Sequence, residues 1–197
     1  MPQPSRASGV EFLWAKWRLQ ALLVLGRQQR ALELLDDLLG RWPTERYLLA
    51  SRGNLRAQRG DLRGAVADLR ALVARHPDEA SAWFNLGFVL EQQGELTEAE
   101  AAFRRATALN ARLDRAWYGL ALVLIRQQRL REALEPLQRN TALQPMSPYG
   151  WYQLARVHVD LNEPEEAEKI LRRLEGFEPK VAAQLRRETG LQGTTSS

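Results

Sequence analysis

Residues 80–113 read ASAWFNLGFVLEQQGELTEAEAAFRRATALNARL, and this stretch decides the fold. From Ala82 to Leu90, apolar residues recur three or four positions apart, a spacing that predicts a helix with one apolar face. Gly94 follows, and glycine adopts the left-handed conformation that ends a helix without steric strain. The helical period resumes from Glu95 to Leu109. The stretch therefore predicts two helices joined by a tight turn.

Similar segments recur along the chain every 34 residues, and three residue types follow this period. They are alanine (Ala31, Ala65, Ala99, Ala133, Ala167), proline (Pro43, Pro77, Pro145, Pro179, with Ala111 in the remaining place) and tryptophan (Trp83, Trp117, Trp151). Such a period indicates stacked helical hairpins rather than one globular core. We predict five repeats, at 12–45, 46–79, 80–113, 114–147 and 148–181. Gly26, Gly60, Gly94, Gln128 and Asn162 occupy the predicted turns.

The alanine early in each second helix is expected to set the spacing within a hairpin. A methyl group lets two helix axes approach closely, and the first helices offer small residues to match it. These are Gly53, Gly87, Ala121 and Ala155. A larger side chain in either column would overpack the hairpin, at a cost of about 1–3 kcal/mol.

The pattern Trp83-x-x-Leu86-Gly87, followed by Ala99-x-x-x-Phe103, resembles the signature of the tetratricopeptide repeat. The resemblance covers residues 12–181. It implies an all-α fold, an α-solenoid of five 34-residue helix-turn-helix repeats wound as a right-handed superhelix.

The first two repeats depart most from the signature. Ala15 and Leu49 replace tryptophan, and Arg18 and Arg52 replace leucine. We therefore expect the first hairpin to be looser than the others.

Composition also predicts both ends of the array. We expect residues 1–11 to form a flexible leader, with no helix before Phe12. Residues 181–190 combine an apolar strip with charged residues and end at Gly190, which predicts a capping helix. Residues 191–197 are predicted to be disordered.

Trp14 and Trp17 lie in the first predicted helix, where no preceding repeat is predicted to cover them. One interpretation is that residues 2–10 drape over these rings. The other is a docking or self-association edge, because exposed apolar patches commonly mark contacts.

Charge and composition exclude several classes of function. Residues 41–75 carry eight arginines against three acids (+5), whereas residues 76–110 carry two against six (−4), so no continuous basic track for nucleic acid is expected. Lys16 and Arg18 interrupt the apolar residues 12–25, which therefore do not resemble a signal peptide or a membrane span. We expect a cytoplasmic protein.

Residues that could support catalysis are scarce. The chain has no cysteine, and its two histidines, His76 and His158, do not have metal-ligand spacing. No phosphate loop or nucleophile elbow occurs. We therefore predict a non-catalytic protein without a cofactor or metal.

In tetratricopeptide repeat proteins, the first helix of each repeat lines a concave groove. The resemblance implies a groove lined by Tyr47, Asn54, Phe84, Asn85, Phe88, Arg115, Tyr118, Leu122, Ile125, Tyr149, Tyr152 and Arg156. Aromatic residues are enriched in protein interfaces. The alternative for some of these rings is packing against neighbouring helices.

Asn54 and Asn85 can each offer a donor and an acceptor to the backbone of an extended peptide. Family members that bind a terminal carboxylate use Lys, Asn, Asn, Lys and Arg together. The corresponding residues here are Ala50, Asn54, Asn85, Arg115 and Gly119, so two cations are missing. We favour backbone capture by the two asparagines, helped by Arg115.

Arg52 and Arg56 replace apolar signature residues one turn apart. Their stems could pack while the charged ends point outward. Alternatively, the two guanidinium groups face an acidic segment of a partner.

These observations predict a protein–protein interaction scaffold, or adaptor, that binds a peptide or helix of another protein in its groove. The alternative is an assembly or regulatory subunit that associates through its N-terminal edge, with itself or with a catalytic or secretion partner.

Overall fold

The structure, a computed structural model, describes residues 6–191. Within this range the chain forms eleven helices and no strand: α1 Arg6–Val24, α2 Gln28–Arg41, α3 Arg46–Gln58, α4 Leu62–Arg75, α5 Ala80–Gln93, α6 Leu96–Leu109, α7 Asp114–Arg126, α8 Leu130–Leu143, α9 Pro148–Asp160, α10 Pro164–Phe177 and α11 Pro179–Thr189. The prediction of an all-α fold built from helix-turn-helix repeats, with a further C-terminal helix, is confirmed.

The helices belong to two compact units, divided within α5 after Val89. In the first unit, α1 packs on α2, α2 on α3, and α3 on α4. In the second unit, each helix from α6 to α10 packs on the next, and α11 packs on both α9 and α10. Sequential packing of this kind is the arrangement of a solenoid, in which each repeat contacts its neighbours.

One type of turn joins the two helices of every hairpin. The residue at the predicted turn position has a positive φ, between 60° and 85°, in Gly26, Gly60, Gly94, Gln128 and Asn162. The next backbone N–H donates to the carbonyl oxygen five residues earlier, at 2.8–3.0 Å in each turn. This bond satisfies a carbonyl at the helix end, as in the Schellman motif.

The alanine column is completely buried. Ala31, Ala65, Ala99, Ala133 and Ala167 are all 0% exposed. The matching small residues of the first helices are buried as well. At Gly53, an added Cβ would lie 3.0 Å from Leu69 Cγ on α4, so even a methyl group there would require Leu69 to shift.

The tryptophan column forms a hydrogen bond that recurs in three repeats. Each indole Nε1–H donates to the carbonyl oxygen six residues earlier: Trp83 to Pro77 at 2.8 Å, Trp117 to Ala111 at 2.9 Å and Trp151 to Pro145 at 3.0 Å. The acceptor is the proline position at the end of the preceding repeat, and the bond persists where alanine replaces proline. Tryptophan therefore fixes the connection between repeats in addition to filling space.

Two predictions for the chain ends need correction. Helix α1 begins at Arg6 rather than Phe12, so residues 6–11 of the expected leader are helical. The capping helix α11 begins at Pro179, two residues earlier than predicted, and Gly190 has the expected left-handed conformation with φ of 68°. Residues 1–5 of the leader and 192–197 of the predicted tail lie outside the described residues.

Every hairpin turn has a residue with positive φ, and Gln128, with φ of 61°, is one that is not glycine. The substitution Gln128→Gly should raise the free energy of unfolding by about 0.5–1 kcal/mol, because glycine reaches this conformation without Cβ strain. Urea unfolding followed by circular dichroism measures the change.

Asn162, with φ of 60°, provides the matched control. Asparagine tolerates the left-handed region better than glutamine, so Asn162→Gly should give a smaller increase. A loss of stability in Gln128→Gly would contradict this explanation of the turns.

Candidate functional site

All twelve predicted groove residues lie on first helices (α3, α5, α7 and α9), and none of them is buried. The exposed members are Asn54, Phe88, Arg115, Tyr149 and Arg156, and the half-buried ones are Tyr47, Phe84, Asn85, Tyr118, Leu122, Ile125 and Tyr152. These side chains are therefore accessible, but their surroundings differ between the two units.

In the first unit, aromatic rings on α5 form a small platform. The rings of Phe84 and Phe88 stack with centroids 6.3 Å apart, and Phe88 is exposed. On α3, the Tyr47 ring is contacted by the Lys16 ammonium group, 4.4 Å from the ring centroid. This cation–π contact from α1 occupies one face of Tyr47. Phe88 consequently offers the more accessible ring.

In the second unit, Tyr149 on α9 is the most exposed aromatic residue of the predicted groove, with 70% of its surface accessible. It borders a cavity of about 250 Å³ between α9 and α11. The cavity is lined by Pro148, Tyr149, Tyr152, Val181 and Gln184. Its walls are mainly apolar, with polar atoms at the tyrosine hydroxyls and the glutamine amide.

Glu188 on α11 contributes an anion to this surface. The Tyr152 hydroxyl donates a hydrogen bond to the Glu188 carboxylate. This bond raises the pKa of Tyr152, with burial adding to the effect, and lowers the pKa of Glu188. The Arg156 guanidinium lies 3.8 Å from Glu188 and 6.0 Å from the centroid of the Tyr152 ring.

Glu188 was not among the residues predicted for this surface. The repeat pattern identified residues on first helices, whereas Glu188 lies on α11, C-terminal to the last repeat. Its approach to Tyr152 depends on how α11 packs against α9, which the periodicity does not specify.

Some of the predicted groove side chains also pack against the core. Tyr118, Ile125 and Tyr152 pack against the hydrophobic core of the second unit. Burial raises the pKa of Tyr118, consistent with a hydroxyl partly removed from water. The alternative of packing on neighbouring helices thus applies to these three residues, and Tyr149 supplies the exposed aromatic surface.

The arginines of the second repeat form an internal ion-pair network. Arg52 binds Asp68 through two hydrogen bonds, of 2.9 and 2.6 Å, and Asp36 through a third of 2.7 Å. Arg56 binds Asp68 at 2.9 Å. The Asp68 side chain is only 4% exposed, so two guanidinium groups compensate a buried carboxylate.

The side chains of Arg52 and Arg56 are only 19% and 24% exposed, consistent with the packed stems of the first interpretation, but the structure corrects both interpretations of their charged ends. Their charged ends do not point outward into water. Asp68 on α4 and Asp36 on α2 bind these ends, in place of the acidic segment of a partner. Burial alone would lower the pKa of Arg52, but its hydrogen bonds to Asp68 and Asp36 raise it above the usual value. The network joins three helices of the first unit.

His158 pairs with a carboxylate of the same hairpin, and the described residues form no metal site. His158 is buried, and its Nδ1 lies 2.8 Å from Glu163 Oε2. Within residues 6–191, no three His, Asp or Glu side chains are grouped so as to hold a metal ion. No helix in the same range has the length and apolar character needed to cross a membrane.

The two candidate edge residues on α1 are strongly exposed: Trp14 by 73% and Trp17 by 67%. Residues 6–10 do not drape over them, because these residues continue α1 itself. The draping interpretation is wrong for that stretch, and residues 2–5 lie outside the described range. Trp14 and Trp17 therefore belong to an accessible apolar surface.

Two family models match the chain. One is described as "Tetratricopeptide repeat" and matches residues 51–114, and the other as "Anaphase-promoting complex, cyclosome, subunit 3" and matches residues 92–174. Among curated proteins, none matches in sequence.

Solved structures of similar fold include MamA from Desulfovibrio magneticus RS-1, with 21% identity over 89% of this chain and 94% of that chain and a TM-score of 0.76. A protein from Parabacteroides merdae, described as a tetratricopeptide repeat protein, has 17% identity over 91% and 74% and a TM-score of 0.79. YrrB, described as having an unusual peptide-binding site, has 19% identity over 86% and 88% and a TM-score of 0.75.

The network around Asp68 predicts a loss of stability when its arginines are neutralised. The double substitution Arg52→Gln/Arg56→Gln should lower the free energy of unfolding by about 3–5 kcal/mol, because it leaves a buried carboxylate without a cation. Urea unfolding of the two proteins measures this difference.

The exposed pair of Arg139 and Glu135, 3.8 Å apart on α8, supplies the control. Arg139→Gln should change stability by less than about 0.5 kcal/mol, as is typical of surface ion pairs. Unchanged stability in the double variant would show that the network is not structural.

Proposed function

Since the chain belongs to the tetratricopeptide repeat family, we propose that it acts as a non-catalytic adaptor that holds a peptide or helix of a partner protein on its first-helix surface. In the second unit, the proposed ligand lies against α9 and α11, which border one cavity. Phe84 and Phe88 on α5 are proposed to offer a further apolar contact in the first unit, beside Asn54 and Asn85.

The observation that carries the proposal is the exposure of the Tyr149 ring beside the 250 Å³ cavity. An aromatic ring gives a large contact area while losing little conformational entropy, because only two side-chain torsions become fixed. The apolar walls at Pro148 and Val181 suit an aliphatic or aromatic side chain of the ligand. Tyr149 is therefore the proposed anchor of the interface.

Arg156 is the proposed polar contact. Its side chain is about half exposed, and a guanidinium carries five N–H donors, more than its pairing with Glu188 at 3.8 Å can use. A backbone carbonyl or carboxylate of the ligand can accept from these donors. The peptide-binding site named for YrrB supports a peptide as the kind of ligand.

Peptide selection tests this proposal without a known partner. A phage-displayed library of random peptides is selected on the immobilised full chain, and the affinity of the recovered peptides is measured by fluorescence polarisation. We expect Tyr149→Ala and Arg156→Ala each to weaken binding about tenfold or more, equivalent to about 1.4 kcal/mol.

Arg139→Ala is the matched control, because Arg139 is an exposed arginine on a second helix, α8. It should leave the affinity unchanged. Recovered peptides that bind wild type, Tyr149→Ala and Arg156→Ala equally would reject the proposed surface, and so would a selection that recovers no peptide.

A further inference from the structure

Helix α1 exposes an apolar face of unusual extent. Its large apolar side chains that are more than half exposed, together with Leu25 just beyond the helix, are Val10, Leu13, Trp14, Trp17, Val24 and Leu25. The opposite face is apolar as well, since Leu19 is completely buried and Phe12 packs edge-on against Trp42, which directly follows α2. A helix that is apolar on both sides is normally covered on both sides.

The exposed residues form a seam suited to another helix. Val10, Trp14, Trp17, Ala21 and Val24 follow one another at intervals of four, three, four and three residues. This spacing is that of the contact line between paired helices. The side chains of Leu13, Trp14, Trp17, Arg18 and Ala21 line a groove of about 680 Å³ along it.

The later repeats show what covers this face elsewhere in the fold. The residues equivalent to Trp14, at intervals of 34, are all buried: Leu48, Ala82, Ala116 and Gly150. Those equivalent to Ala21 are buried too: Leu55, Val89, Val123 and Val157. On α1 both positions are exposed.

The covering element is the second helix of the preceding repeat. At Gly119 on α7, which is equivalent to Trp17, an added Cβ would lie 2.6 Å from Phe103 Cζ on α6. At Gly150 on α9, an added Cβ would clash with the Asn140 side chain on α8. Within residues 6–191, no helix takes this place against α1.

We propose that a second copy of this chain covers the seam, so that α1 pairs with α1 about a twofold axis. At about 150–250 Å² for each ring, the two tryptophans can bury roughly 300–500 Å², and four further apolar side chains that are more than half exposed add to this area. A standard interface takes about 800 Å² from each partner, and the largest patch on a monomer is about 300–600 Å². The surface is therefore of the size that a stable dimer uses.

Charge is compatible with self-pairing. The seam residues are uncharged, Arg18 lies at its border, and Glu11 is bound by Arg41 at 2.7 Å. A twofold axis therefore brings apolar surface onto apolar surface, and the exposed Arg18 of each copy flanks the contact, where its charged end can stay in water. A seam that recognised a charged partner would instead carry charged groups along its length.

Residue sizes along the seam favour an antiparallel pair. If the axis passes between positions 17 and 18, Trp14 of one copy lies opposite Ala21 of the other, and Val10 lies opposite Leu25. A large ring then meets a small residue at each end, which allows close packing. A parallel pair would place both Trp14 and Trp17 opposite themselves, whereas in the antiparallel pair only the two Trp17 residues lie near each other, on either side of the axis.

Sedimentation equilibrium of the full chain tests the dimer. We expect wild type to have twice the mass of the 22.5 kDa chain, and Trp14→Gln/Trp17→Gln to have the monomer mass. Both rings are exposed, so the variant should keep the helical circular dichroism of wild type. Tyr149→Gln removes an equally exposed ring from the proposed peptide surface and should remain a dimer.

Two outcomes would overturn the proposal: a monomeric wild type, which would assign the seam to another protein, or a dimer that persists in Trp14→Gln/Trp17→Gln. Because the double variant retains Tyr149 and Arg156, its peptide affinity shows separately whether the adaptor function holds.

Cross-linking tests the register, since the chain has no cysteine of its own. In the antiparallel pair, Arg18→Cys should be joined between copies by a short bismaleimide reagent. Leu25→Cys should not, because its two sites are about 22 Å apart along the helices at 1.5 Å per residue. Efficient cross-linking of Leu25→Cys alone would contradict the antiparallel pair.

Discussion

The fold depends on the close approach of two helices at a buried methyl group. Each second helix has an alanine without any exposed surface early in its length, and small residues such as Gly53 and Ala121 are buried on the first helices. At this spacing the larger residues interlock around the contact. Because the same constraint recurs every 34 residues, each hairpin presents its first helix in the same way. The candidate binding surface is a consequence of that repetition.

Hydrogen bonds to backbone carbonyl oxygens hold the hairpins in this arrangement. The left-handed turn closes each hairpin, and the indole of Trp83, Trp117 or Trp151 fixes the connection to the preceding repeat. Both devices use groups that would otherwise lose hydrogen bonds to water on folding. Rigid first helices can then present Tyr149 and Arg156 to a ligand with little loss of entropy.

Periodicity predicted the hairpins, the turns and the buried columns, because these depend on neighbours at fixed sequence distances. It did not predict the partners of side chains that break the pattern. Arg52 stands in an apolar column, and only the packing of α2, α3 and α4 shows that Asp68 and Asp36 bind it. Likewise, Glu188 reaches Tyr152 through the docking of α11, and the six-residue extension of α1 before Phe12 lies outside the repeat pattern.

The central claim is that first-helix side chains of the second unit bind a protein ligand. Hydrogen–deuterium exchange of the full chain, with and without a selected peptide, tests it most directly, because it locates the contact without any substitution. The account predicts slower exchange at the amides of α9 and α11, with α8 and α10 unchanged. Slower exchange confined to α8 and α10 would contradict it and place the ligand on the second helices.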